Sequence, residues 1–131
     1  MPIHGKIIVR DAFLVYGLTF AFGLGAVVAG WRLEEHPSAA YLINVLSGAL
    51  GFTVSAMRLQ VGRGIHLAWV AFMLWLLGLS NVVFGFQPTS AWVLSSFTVL
   101  LMALLGASLA GVIAPVSVST AHPSSTLRRH R

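Results

Sequence analysis

Polar positions in this chain fall into short clusters, and between them lie four long apolar runs: Ala12–Trp31, Ser38–Met57, His66–Phe86 and Ser90–Ala114. No Asp, Glu, Lys or Arg interrupts any of them, and none alternates with the period of two that a half-buried strand requires. A helix crosses a bilayer in about 20 residues. In lipid a helix satisfies its own backbone hydrogen bonds, which an open strand cannot do. The pattern predicts four transmembrane helices forming one domain over residues 12–114. An amino-terminal segment, 1–11, precedes it, and a Ser/Thr/Pro-rich tail, 115–131, ends in Leu-Arg-Arg-His-Arg.

The pattern also repeats. Gly23–Trp31 reads GLGAVVAGW and Gly78–Phe86 reads GLSNVVFGF, identical at five of nine positions and aromatic at the last. Each phrase is followed by a helix-opening one, His36-Pro37-Ser38-Ala39-Ala40-Tyr41 and Gln87-Pro88-Thr89-Ser90-Ala91-Trp92. A proline near the first helical position is harmless because its missing donor would have no intrahelical partner. The expected fold is all-α: an integral-membrane four-helix bundle built from two helical hairpins. The hairpins insert in the same direction, as parallel repeats about an axis along the membrane normal.

Charge sets the orientation. Lys6 and Arg10 precede the first run, Arg58 and Arg63 separate the second and third, and Arg128, Arg129 and Arg131 close the chain; Arg32 alone lies on the other side, beside Glu34 and Glu35. By the positive-inside rule both termini are expected in the cytoplasm. Trp31, Tyr41, Phe86 and Trp92 would then mark the outer interface and Trp69 the inner one. With 57% hydrophobic and 8% charged residues, the chain carries too little charge to cover a water-soluble globule, for which roughly 25% is usual. The net charge of +5 forms no basic stripe, so nucleic acid is not an expected partner. High Ala, Gly and Arg with a single Lys suggests a GC-rich bacterial genome, hence a bacterial inner membrane.

Small residues recur every four positions: Gly17, Ala21, Gly25 and Ala29 in the first run, Ser47, Gly51 and Ser55 in the second, Ala103, Ala107 and Gly111 in the fourth. Such ladders let helix backbones approach closely. They are the expected contact formers, within the bundle or against a partner. Asn44 and Asn81 are the most polar residues deep in the runs and are expected to bond between helices.

Reactive chemistry is sparse. There is no cysteine. Glu34 and Glu35 are neighbours in an exposed loop, and Asp11 is expected to cap or start the first helix. His66 is expected to be a solvated interfacial histidine. A haem would want a second histidine at matching depth, and His4, His36, His122 and His130 do not offer one. No catalytic residue, metal site or cofactor is expected.

The repeated phrases, Gly78-Leu79 through Gly85-Phe86 and Thr89-Ser90-Ala91-Trp92, with counterparts in the first half, resemble the SPW-repeat family of small bacterial membrane proteins. Leu79-Ser80-Asn81 stands near the place of the Ser-Pro-Trp that names the family. The likeness covers about residues 13–112 and implies topology, since the family carries no established activity. The expected function is a small accessory or scaffold subunit packed against a larger membrane enzyme or energy-converting complex. Lipids surround it, and self-association is possible. The alternative is a small homo-oligomeric transporter or channel; a pigment, quinone or lipid binder is a third idea.

Overall fold

The computed structural model describes residues 5–59 and 61–115. It holds four helices: α1 (Gly5–Val28), α2 (Pro37–Met57), α3 (Arg63–Val83) and α4 (Thr89–Ile113). No strand occurs among the described residues. Each helix is long and apolar enough to cross a membrane. α2 and α4 follow the expected runs to within a residue, whereas α3 lies three residues ahead of the expected His66–Phe86, so Phe86 falls beyond it. α1 begins by Gly5, ahead of the expected Ala12, and ends at Val28, so Trp31 lies beyond it. Of the Ser/Thr/Pro-rich tail, 115–131, all beyond Pro115, including the three arginines, lies outside the described residues.

Helix direction can be read from individual contacts. Val15 meets Gly51, and Asp11 meets Ser55, so α1 and α2 are antiparallel. Asp11 meets His66, so α1 and α3 run in the same sense; Gly48 meets Met102 and Thr53 meets Gly106, so α2 and α4 do too. α1 packs on α2 and α3, and α4 packs on the same two, while α1 and α4 do not touch among the described residues. The order around the bundle is therefore α1–α2–α4–α3.

This order corrects one expectation. A two-fold axis along the bundle would place α1 diagonally opposite α3. They are neighbours instead, so no two-fold axis along the bundle relates the two hairpins.

The two hairpins close in the same way. Trp31 N–H donates to Ala26 C=O and Gly30 N–H to Val27 C=O; Phe86 N–H donates to Asn81 C=O and Gly85 N–H to Val82 C=O. Gly30 (φ 87°) and Gly85 (φ 75°) are both left-handed. These are paired Schellman caps, in which a glycine takes the conformation a Cβ disfavours. Alanine at Gly30 or Gly85 should lower the unfolding free energy by roughly 1 kcal/mol, measured by denaturant titration in micelles.

The core runs along α2. Val15, Val45, Phe52, Ala56, Leu67, Val70, Leu74, Met102 and Ala110 are buried together. Outward-facing residues such as Phe13, Phe97, Leu104 and Val112 are large and apolar. That surface would be costly in water and is ordinary against lipid. The chain is a helical bundle of the multi-pass membrane kind.

Candidate functional site

Two polar places flank an apolar middle. The first lies at the end of the bundle where α1 begins, the terminus end. Asp11 sits in the second turn of α1, about 9 Å along it at 1.5 Å per residue. It is only 1% exposed. Its Oδ2 accepts from Ser55 Oγ on α2 at 2.7 Å and from His66 Nε2 on α3 at 3.0 Å. Its Oδ1 accepts from Arg10 Nε at 2.9 Å and Nη2 at 2.8 Å, with Arg58 Nη1 3.8 Å away. Both carboxylate oxygens are thus engaged, and three helices meet on one side chain.

Asp11 and His66 are corrections to the sequence reading. Asp11 neither caps nor starts a helix, and His66, with its side chain 13% exposed, is mostly buried. Arg10 and Arg58, both about half exposed, place positive charge beside the buried carboxylate.

Aspartate, histidine and serine in one cluster invite a catalytic reading, and the geometry answers it. A hydrolytic triad uses both ring nitrogens, one for the acid and one for the serine. Here the same Nε2 faces Asp11 at 3.0 Å and Ser55 at 3.5 Å, while the Ser55 hydroxyl donates to the carboxylate. The arrangement orients three helices and does not prepare a nucleophile. Among the described residues, no three His, Asp or Glu side chains gather to hold a metal. Close by, Arg63 Nη1 and Nη2 donate to the Ala114 carbonyl at 3.2 and 3.3 Å, tying the start of α3 to the end of α4. A cation at a helix C-terminus also complements the helix dipole.

The middle is close-packed. At Gly51 an added Cβ would stand 3.0 Å from the Val15 Cα, and at Gly106 it would collide with Phe52. Thr53 Oγ1 donates to Ala49 C=O at 2.8 Å and reaches Gly106 C=O at 3.3 Å.

The second polar place is a cavity of about 580 Å³ at the opposite, hairpin end. All four helices line it. Tyr16, Thr19, Asn44, Asn81, Gln87, Ser95 and Thr98 supply polar groups, while Leu74, Val99 and Met102 are apolar. Trp75 lines it too and stacks on Trp92, with ring centroids 4.2 Å apart. Each indole donates to the other's backbone carbonyl: Trp75 Nε1 to Trp92 at 3.2 Å, Trp92 Nε1 to Trp75 at 2.9 Å.

The structure places the expected contact formers unevenly. Ser47, Gly51 and Ser55 are buried in the α2 seam, Ala103 is buried, and Ala107 packs on the core. Gly17, Ala21, Gly25 and Ala29 are exposed, as is Gly111. Nothing stands within 4 Å of a Cβ added at Gly17, Gly25 or Gly111. Of the two α4 glycines, Gly106 is the one set against the α2 backbone, one position before the expected ladder residue Ala107. Asn44 and Asn81 do not bond to each other; both line the cavity.

No protein-family model matches the chain, and comparison with curated proteins and with solved structures found nothing similar.

Proposed function

We propose that this chain is a small accessory or scaffold subunit of a bacterial inner membrane, with both termini cytoplasmic, that packs against and stabilises a larger membrane enzyme or energy-converting complex. One observation carries the reading. The small-residue ladders of α2 and α4 are largely used inside the bundle, but that of α1 is left open. Gly17, Ala21, Gly25 and Ala29 make a shallow strip where another helix can approach closely. A groove of about 500 Å³ at Ala21, Gly25, Ala29 and Ile43 continues it toward α2. The excess of basic residues at the terminus end supports the orientation.

Gly17→Leu with Gly25→Leu tests this. The added side chains enter open space, so the isolated bundle should keep its thermal midpoint. The partner that migrates with the wild type on native gels in mild detergent should be lost. An unchanged co-migrating complex in the double variant would overturn the reading, and so would a wild type that travels alone.

The transporter alternative has less support. Val15, Phe52 and Val70, all fully buried, close the middle of a single bundle, so a path would have to form between copies. Substrate-specific flux into liposomes would favour it.

A further inference from the structure

We propose that the hairpin-end cavity is a binding site for an uncharged, carbonyl-bearing amphiphile drawn from the bilayer. The site is separate from the α1 strip and does not depend on it.

Size is the first argument. At about 580 Å³ the cavity lies within the roughly 300–1,000 Å³ range of pockets that hold small organic ligands. Its position is the second: it lies between helices near one end of the bundle, where a head group can enter from the interface.

The lining gives the chemistry. No Asp, Glu, Lys, Arg or His lines the cavity. A charged head group would lose its hydration without gaining a counter-charge, a large penalty at membrane depth. The polar groups present are neutral, and most can donate: the Asn44 and Asn81 amides, the Tyr16 phenol and the Thr98 hydroxyl. Some lining groups are already spent within the protein: Thr19 Oγ1 donates to Tyr16 C=O, Ser95 Oγ to Trp92 C=O, and Gln87 Nε2 reaches Gly78 C=O at 3.5 Å. The amide ends of Asn44 and Asn81 are not among these bonds. Free neutral donors facing a shared space match carbonyl oxygens. Leu74, Val99 and Met102, with the flat face of Trp75, suit the apolar body attached to them.

Two membrane components share this chemistry, prenylated quinones and neutral glycerolipids. Native mass spectrometry of the full chain in mild detergent separates them, using a decyl benzoquinone and dioctanoylglycerol as probes. One equivalent of one probe should bind, and the one that binds identifies the source. Asn81→Leu and Thr98→Val should each weaken that binding tenfold or more while the thermal midpoint is kept. Ser96→Val, whose exposed hydroxyl donates to Val93 C=O outside the cavity, should leave it unchanged. Failure of both probes to bind at one equivalent would overturn the proposal, as would equal binding by the two cavity variants and the wild type.

Discussion

Asp11→Ala should lower the unfolding free energy by about 1–3 kcal/mol, the cost expected when a buried carboxylate is removed and the groups that donate to it lose their acceptor. Arg10, Arg58 and His66 would keep their places around a site with no anion, and the Ser55 hydroxyl would lose its acceptor. α1, α2 and α3 would lose their common polar tie at the same time. Equilibrium unfolding in mixed micelles, followed by circular dichroism, gives the measurement. Asp11→Asn, which keeps the shape and one acceptor oxygen, should cost less. A cycle combining Asp11→Ala with His66→Leu should show the paired change to be milder than the sum of the single ones, because the second substitution removes a group that the first had stranded. A loss below about 1 kcal/mol for Asp11→Ala would mean that the carboxylate behaves as a solvated surface group.

Gly106→Ala should cost about 1–3 kcal/mol, and Gly106→Leu more, although alanine is ordinarily the better helix former. The new Cβ would collide with that of Phe52 and come within 2.8 Å of the Ala49 carbonyl oxygen and 2.9 Å of the Thr53 nitrogen. These atoms belong to the α2 backbone or sit directly on it, so no rotamer change relieves them, and α4 must move away. The Thr53–Gly106 hydrogen bond would lengthen with it. Gly48→Ala is the informative contrast: its obstacle is the Met102 thioether, the mobile end of a long side chain. Gly111→Ala, in open space, should be neutral or slightly stabilising. Equal effects at Gly106 and Gly111 would show that the α2–α4 seam is not held at this spacing.

The helices were legible in the sequence because an uncharged run of membrane-spanning length has few alternatives. The caps at Gly30 and Gly85 were foreshadowed by the repeated phrase that contains them. The Asp11 cluster was not legible in the same way. Arg10 and Asp11 are adjacent in sequence and read as an ordinary polar start. Only the packing of α1 against α2 and α3 brings Ser55 and His66 to the same carboxylate. A signal was nevertheless present, for the shift along the chain that carries Gly23 onto Gly78 also carries Asp11 onto His66. Neighbouring helices that run in the same sense hold such matching positions at similar depth. The ladders named the right residue types without telling which would be used internally. Spacing by four places small residues on a face but does not say what that face meets, so Gly106 was missed beside Ala107 and Gly25 was left open.

The outward faces of α1 and α3 differ in relief. On α3 the counterparts of Gly17, Ala21, Gly25 and Ala29 are Phe72, Leu76, Ser80 and Phe84, and the three bulky ones are exposed. One hairpin therefore presents a smooth trough where its twin presents a ridge. If the α1 strip seats a partner helix as proposed, that helix would meet bulky side chains at the matching face of α3, and one partner per copy is the expected stoichiometry.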